Sequence, residues 1–224
     1  MTRRKGLTAA LLVAAIGLAG CGSDADQLVG VQMVRGVTAG LIKGRAAEVS
    51  SQPDAGLTRA ALANVKTPLM LLTLERNGAS AAAGRLAING GVETWTSVDD
   101  RTVAYRQGTL VATRGFGSDL MSAQGPSAGQ IASGSGGHDR VYYYLDGLDQ
   151  SVRLDFRCTL AVSGAETIIV VQREYNTRHV IERCSGDSGN FVNEYWFDNA
   201  LNLRQSRQWI GQQLGHLMTR RIID

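Results

Sequence analysis

The chain has 224 residues, of which 44% are hydrophobic and 19% are charged, so its composition is that of a globular protein and excludes wholesale disorder. Its formal net charge of +3 comes entirely from Arg3, Arg4 and Lys5, because removing these three from the 23 basic residues leaves 20, equal to the 20 acidic residues. Proteins that bind nucleic acid need a basic surplus, so we do not expect nucleic acid as a partner.

The first twenty residues have the pattern of a signal peptide. The basic residues precede an apolar run, Leu7–Leu18, which is too short to span a bilayer core of about 30 Å. The following Leu18-Ala19-Gly20-Cys21 resembles the lipobox of bacterial lipoproteins, in which the cysteine carries a diacylglycerol and, after cleavage, an acylated amino group. Two or more acyl chains anchor a protein stably. We predict a lipidated Cys21, and Gly22 after it implies the outer membrane.

Residues 21–27 are small and polar, and we predict a lipidated tether there, followed by a single β-rich domain over residues 28–224. Leu28–Ile42 is compatible with either a strand or a helix. Arg45–Val65 has apolar residues at the spacing of one helix face, which predicts a short helical segment that Pro68 ends. No later stretch is apolar over eighteen residues, so no transmembrane helix is predicted.

Beyond Pro68 the chain consists of short runs rich in Val, Ile, Thr, Tyr and Leu between Gly, Asn and Asp turns, a pattern typical of strands. Strands are predicted at Leu69–Arg76, Ala81–Asn89, Val92–Val98, Thr102–Arg106, Thr109–Thr113, Arg140–Leu145, Ser151–Val162, Glu166–Glu174, Arg178–Arg183, Asn190–Phe197, Leu203–Ile210 and His216–Ile222. No crossover helices intervene, so we predict an all-β fold, a large antiparallel meander curled into a half-barrel or barrel.

Three connections in this series matter for the topology. Ser163-Gly164-Ala165 and Asn176-Thr177 are predicted to be turns between strands. Met121–Asp139 is rich in Gly, Ser and Ala, and we predict a mobile loop there, over one mouth of the barrel.

Cys158 and Cys184 are the cysteines that remain once Cys21 is acylated, and an oxidising periplasm favours their pairing. If Glu166–Glu174 were a strand between them, they would lie about 9–10 Å apart, whereas a disulfide needs Cα atoms within about 7 Å. Strong curling, or a departure of Cys184 from its strand, would close that gap. We predict the disulfide because of the compartment.

Two blocks carry a family resemblance: Thr94–Ser97 with Gly108–Leu120, and Phe191–Asp198 with Ser206–Gly211. Together with the lipobox, they resemble the YjbF family, the group 4 capsule polysaccharide lipoproteins. The resemblance implies an outer-membrane lipoprotein encoded beside exopolysaccharide or capsule machinery, with an antiparallel meander forming a half-barrel. It implies no catalytic residues.

The same blocks contain residues suited to binding a polysaccharide. Aromatic faces stack on sugars, and arginine and glutamine donate hydrogen bonds to hydroxyl or acidic groups. The candidate glycan-binding residues are Arg114, Trp196, Arg207, Gln208 and Trp209. For the aromatic residues the alternative is packing in the barrel core, and for Arg114 it is a glycine-bounded turn.

Catalytic patterns are not matched. Ser135 lacks the first glycine of a nucleophile elbow, and His138, His179 and His216 do not stand at metal-ligand spacing. His138-Asp139, beside the predicted loop, is interpreted as a solvated pair and not as an acid–base pair. We therefore predict no enzyme activity, no metal and no cofactor.

The prediction for function is a non-catalytic accessory or binding component of exopolysaccharide or capsule assembly or export, facing the periplasm. Its expected partners are the membrane, through the lipid anchor, polysaccharide and other export proteins. One alternative is a lipid or glycolipid carrier, which would need a continuous apolar trough open to solvent. The other is a polysaccharide-modifying enzyme, which would need a cleft with convergent titratable groups of shifted pKa.

Overall fold

A computed structural model describes residues 57–224, which form one antiparallel sheet of twelve strands and one short helix. The elements are β1 Leu69–Leu74, β2 Ala79–Asn89, β3 Val92–Ser97, β4 Thr102–Arg106, β5 Thr109–Arg114, β6 Ser122–Gln124, α1 Ala128–Ser133, β7 Gly137–Leu145, β8 Ser151–Val170, β9 Arg173–Gly186, β10 Gly189–Asp198, β11 Leu203–Gly211 and β12 Gly215–Ile223. The all-β antiparallel prediction is confirmed.

The strand order is β5-β4-β3-β2-β1-β12-β11-β10-β9-β8-β7-β6, so the first and last strands pair in the middle and β5 and β6 are the edges. Strand β1 is covered on both faces. Met70 and Leu72 pack in the interior cluster, whereas Leu69 and Leu71 pack in a second cluster on the outer face. Because side chains alternate along a strand, both faces of β1 are buried.

The two edges approach each other and nearly close the barrel. The Thr113 N–H donates to the carbonyl of Leu120 at 2.9 Å, beside β6. Gln208 of β11 reaches across the interior, where its Oε1 accepts from the Leu110 N–H at 2.9 Å and its Nε2 donates to the Gly108 carbonyl at 2.9 Å. This amide satisfies edge-strand backbone groups that would otherwise be buried without partners.

The prediction of a mobile loop at Met121–Asp139 is wrong, because the segment contains β6, α1 and the start of β7. A capping box starts the helix, in which Ser127 and Gln130 exchange side-chain and backbone hydrogen bonds, and Gly134 ends it with φ 64°. Ile131 is fully buried against interior residues of β8 to β10. The helix therefore plugs one mouth of the barrel, and Gly134 serves as its C-terminal cap.

The predicted turn at Ser163-Gly164-Ala165 is also wrong. These residues lie inside the 20-residue strand β8, where the register with β9 shifts between Val162 and Gly164. Gly164 has φ 147°, a conformation that glycine permits, so the segment is a β-bulge. The chain turns instead at Val171-Gln172, and Asn176-Thr177 belongs to β9.

Residues 57–66 lie against the outer face. The Arg59 guanidinium donates to the carbonyls of Val170 and Val171, both at 2.8 Å, and of Ile222 at 3.0 Å, and so joins the β8–β9 hairpin tip to β12. Residues 59–64 form turns, and the part of the predicted helical segment before residue 57 lies outside the described residues. Cys21, the tether and the rest of that segment lie outside the described residues. From residue 57 onward, no helical stretch is long and apolar enough to cross a bilayer.

Candidate functional site

The barrel mouth opposite α1 opens into a cleft of about 790 Å³, which we call the mouth cleft. Its walls come from the β5–β6 connection, the β7–β8 turn and the β11–β12 turn, which all lie at this end of the antiparallel sheet. The polar lining comprises Arg114, Ser118, Asp119, Asp146, Asp149, Gln212 and Gln213, and the apolar lining includes Met121, Leu145, Val152 and Leu154. Binding sites are commonly clefts of this size with mixed linings.

Tyr144 lines the mouth cleft and rests on aromatic residues of the barrel interior. Its ring lies 6.4 Å from that of Trp209, which stacks on Phe191 at 4.6 Å. The Tyr144 hydroxyl is buried, yet it has no hydrogen-bonding partner among the described residues. Burial raises the pKa of Tyr144, so the hydroxyl keeps its proton.

Beside the cleft, strands β10 and β11 separate. Their pairing ends at Glu194–Arg207, and side chains satisfy the backbone beyond it. The carbonyl of Val192 accepts from Arg207 Nη1 at 3.2 Å and from His216 Nε2 at 2.9 Å, and His216 Nδ1 accepts from Arg207 Nη2 at 3.1 Å. Burial and the Arg207 charge lower the pKa of His216, in accord with a neutral ring that accepts at Nδ1.

The structure does not bring the five predicted glycan-binding residues to one surface. Gln208 is 1% exposed and holds the β5 edge, so its contacts favour a structural role over the predicted glycan contact. Arg207 forms an ion pair with Glu75 at 2.8 Å, in addition to its hydrogen bonds between the separated strands. The Trp209 ring packs in the aromatic interior. For both residues the contacts favour a structural role.

Trp196 points to the outer face, where it is 5% exposed and stacks on His179 at 4.5 Å. Its Nε1 donates to Glu166 at 2.8 Å, so its face and its donor are both used within the protein. Of the five candidates, Arg114 alone lines the mouth cleft, with Nη1 donating to the Thr113 and Leu120 carbonyls. Its predicted role in glycan binding stays a prediction.

Cys158 and Cys184 are joined in a disulfide in the barrel interior. They lie directly opposite each other on β8 and β9, with Cα atoms 4.1 Å apart. The predicted strand Glu166–Glu174 does not lie between the two cysteines, because these residues form the tip of the hairpin that carries both, so the separation of two strand spacings does not arise.

A buried charged network lies next to the disulfide. Arg140 of β7 pairs with Glu182 of β9 through two hydrogen bonds, Nε to Oε1 at 2.5 Å and Nη2 to Oε2 at 2.9 Å, and both side chains are 0% exposed. Glu182 also accepts from His138 at 2.6 Å and from Asn193 and Tyr195, each at 2.8 Å. His138 is thus not the solvated histidine that its position in the sequence predicted.

These contacts determine the charge states of Glu182 and Tyr195. Burial alone would raise the pKa of Glu182, but the Arg140 charge and the hydrogen bonds from His138, Arg140 and Asn193 hold it well below its usual range. Burial raises the pKa of Tyr195, so this hydroxyl stays protonated and donates. The carboxylate accepts five hydrogen bonds in all, so it is unsuited to take a proton from a substrate.

We expect acid to weaken the protein through this network. Because the folded-state pKa of Glu182 is depressed, its stabilising contribution is complete above the unfolded-state pKa of about 4.3 and is lost as pH falls below that value. Urea unfolding at pH 7, 5, 4 and 3 should show a steeper loss for the native protein than for an Arg140→Met/Glu182→Leu double variant. Equal pH dependence in the two proteins would contradict the assignment.

One group of potential metal ligands lies here. Atoms of His138, Cys158 and Glu182 lie within 4.8 Å of one another. However, the Cys158 sulfur is bonded to Cys184, and the Glu182 charge is neutralised by Arg140. The donor set therefore does not suit a cation.

The network was missed because its members are far apart in sequence. One signal was available: Glu182 alternates in phase with Val180 and Cys184, so a charge occupies the dry face of its strand. Arg140 likewise shares a face with Tyr142 and Tyr144. A charge in phase with apolar residues indicates a buried pair.

Comparisons with known proteins agree with this architecture. The family model described as group 4 capsule polysaccharide lipoprotein gfcB, YjbF matches residues 42–222. The uncharacterized lipoprotein YjbF of Escherichia coli (strain K12) is 28% identical over 128 residues, which cover 54% of this chain and 59% of that relative.

The crystal structure of the hypothetical lipoprotein YmcC from Escherichia coli (K12) superposes with a TM-score of 0.65 at 17% identity, covering 86% of this chain and 96% of that one. At this identity the likeness shows the fold alone. The family match spans most of the sequence and confirms the resemblance of the two blocks, and the chain therefore belongs to the YjbF family of group 4 capsule polysaccharide lipoproteins.

Proposed function

We propose that the protein is a lipoprotein of the outer membrane, facing the periplasm, that acts as a non-catalytic binding component of exopolysaccharide or capsule assembly or export. The observation that carries the proposal is an open cleft above a filled barrel, in a chain that belongs to a capsule polysaccharide lipoprotein family. Because the interior is filled, we propose the mouth cleft as the place where this barrel accommodates a ligand.

The interior supports a binding component over a lipid carrier. Below the mouth cleft, the aromatic cluster of Tyr142, Phe156, Phe191 and Trp209 packs with ring centroids 4.6–5.9 Å apart. Farther from the mouth cleft, the ion pair of Arg140 and Glu182 fills the interior, and α1 plugs the opposite mouth of the barrel. An acyl chain needs a continuous apolar trough, whereas here charged and aromatic side chains occupy the space.

The charged groups also support a binding component over an enzyme. Among the described residues, the acid with the most strongly shifted pKa is Glu182, and its oxygens are saturated with hydrogen bonds and shielded from solvent. A general acid or base must reach a substrate atom, directly or through one water. Glu182 is positioned to hold strands together and not to exchange protons with a polymer.

Deletion of the gene tests the proposed function. We expect a deletion strain to deliver less polymer to the cell surface or medium than its parent, and a plasmid copy of the native gene to restore it. Unchanged polymer in the deletion strain, or polymer cleavage by the purified protein, would overturn the proposal.

We predict that Cys21→Ser releases the protein from the membrane, since the lipobox resemblance assigns both acyl-bearing positions to this residue. The variant should move from the outer-membrane fraction to the soluble fraction, whereas the neighbouring Ser23→Ala should not. Mass spectrometry should find an acyl mass on Cys21 of the native protein. A Cys21→Ser variant that still sediments with outer membranes, together with a parent protein without acyl mass, would contradict the prediction.

A further inference from the structure

We propose that the mouth cleft is a site for uncharged saccharide units, with the Tyr144 hydroxyl as its buried hydrogen-bond donor. The inference rests on the proposed function and specifies its ligand. It follows from three independent properties of the cleft: one polar group without a partner, the sign of the charge, and the alternation of polar and apolar lining.

The Tyr144 hydroxyl is the first property. Buried polar groups are nearly always hydrogen-bonded, and the neighbouring tyrosines obey this rule, since the hydroxyls of Tyr142 and Tyr195 both contact Arg140. Tyr144 has no such partner among the described residues, although it lines the cleft. An acceptor oxygen supplied by a ligand would remove the cost of leaving this hydroxyl unpaired.

A glycine lies next to that hydroxyl. A Cβ atom at Gly211 would lie 3.3 Å from the Tyr144 ring and 3.5 Å from its hydroxyl oxygen. Gly211 has φ 131° and pairs with Gly215 directly after the register shift that follows Trp209, so it lies at a bulge near the end of β11. The bulge therefore packs bare backbone against Tyr144, where a side chain would crowd the ring and the hydroxyl.

The charge of the lining is the second property, and it excludes acidic ligands. Arg114 is the basic residue of the lining, against the three carboxylates of Asp119, Asp146 and Asp149. Asp119 and Asp146 also accept backbone N–H bonds in their turns, Asp119 from Gly115 at 2.9 Å and Asp146 from Leu148 at 2.8 Å. A polyanion would meet a net negative surface.

The third property is the mixed lining. Leu145 and Val152 are 46% and 37% exposed at the rim, next to the carboxylates and amides of the turns. A sugar ring presents C–H faces and hydroxyl edges, and hydroxyls both donate to carboxylates and accept from amides and Tyr144. An acyl chain would leave the polar groups unpaired, so the lining matches an uncharged saccharide better than a lipid.

Binding of defined oligosaccharides tests the site. Calorimetry with neutral hexasaccharides of glucose, galactose and mannose, an oligogalacturonate of equal length and decanoate should show binding of at least one neutral sugar and the weakest binding for the two anions. Tyr144→Phe should weaken neutral-sugar binding about tenfold, the effect of one hydrogen bond, with no fall in the thermal midpoint because the hydroxyl has no partner to lose.

Tyr143→Phe is the matched control. It removes a hydroxyl from the adjacent residue of the same strand, whose side chain faces outward towards Arg153 and not into the cleft. It should bind as the native protein does. Asp149→Lys should increase oligogalacturonate binding, because it reverses one charge of the lining. Tighter native binding of the acidic sugar or of decanoate, no binding of any neutral sugar, or equal losses in the two tyrosine variants would overturn the inference.

Expression in the deletion strain separates the two proposals. If the deletion does not change the polymer, the proposed function fails. If the deletion lowers the polymer but Tyr144→Phe restores it as fully as the native gene does, the saccharide site fails and the proposed function stands. Restoration by Tyr143→Phe but not by Tyr144→Phe, at equal protein levels, supports both.

Discussion

Replacing Arg140 with methionine should lower the free energy of unfolding by about 3–5 kcal/mol. The substitution removes the positive partner of Glu182, whose side chain is 0% exposed, and leaves a buried carboxylate with an uncompensated charge. His138, Asn193 and Tyr195 would still donate to it, but of these only a protonated histidine supplies charge. Urea unfolding followed by tryptophan fluorescence should show a lower midpoint at an unchanged slope.

Two further variants make this test specific. Arg157→Met removes an arginine whose partner, Asp139, lies 3.5 Å away, with side chains 85% and 73% exposed, so it should cost about 1 kcal/mol or less. Arg140→Met combined with Glu182→Leu removes both charges and should recover much of the loss, since replacing a buried ion pair with apolar residues is often neutral. If Arg140→Met were as stable as Arg157→Met, the ion pair would not be holding the interior together.

Removing the disulfide should lower the free energy of unfolding by about 3.5 kcal/mol, the chain-entropy value for a sequence separation of 26 residues. The Cys158→Ala/Cys184→Ala variant tests this, because both cysteines are buried and alanine introduces no polar group. The expected result is a lower unfolding midpoint for the variant, and a similar decrease for the native protein when a reductant is added.

The variant is its own control, since its midpoint should not respond to the reductant. Alkylation of the native protein, purified and denatured without reductant, should modify neither Cys158 nor Cys184. Two alkylated cysteines would contradict the prediction, as would a midpoint that the double substitution leaves unchanged.

Local pattern predicted most of the sheet. Asn190–Phe197 was predicted within one residue of β10, and Thr102–Arg106 coincides with β4, because turn residues bound strands whose apolar residues alternate. The same local rules failed at Ser163-Gly164-Ala165. A glycine between small residues is compatible with a turn or a bulge, and only the continuous pairing of β8 with β9 distinguishes them.

The functional residues divide in the same way. Arg114 was predicted from a glycine-bounded block and lines the mouth cleft, whereas Tyr144, Asp146 and Asp149 were not associated with it. They come from a turn between two strands, and an Asp-rich turn is common in antiparallel sheets whatever its neighbours are. Its position opposite the β11–β12 turn depends on how far the barrel closes, which no short stretch of sequence encodes.

The amino-acid sequence was sufficient to establish the class of this protein, an antiparallel all-β fold and membership of the YjbF family, because strand periodicity and the two family blocks are properties of short stretches. Which side chains meet could be learned only from the folded barrel. Arg140 and Glu182 are separated by 42 residues and meet because β7 and β9 flank the same strand, β8. Leu110 and Gln208 are separated by 98 residues and meet because the sheet curls until its edges nearly meet. That closure places the ion pair and the aromatic cluster inside the barrel and the mouth cleft at one end.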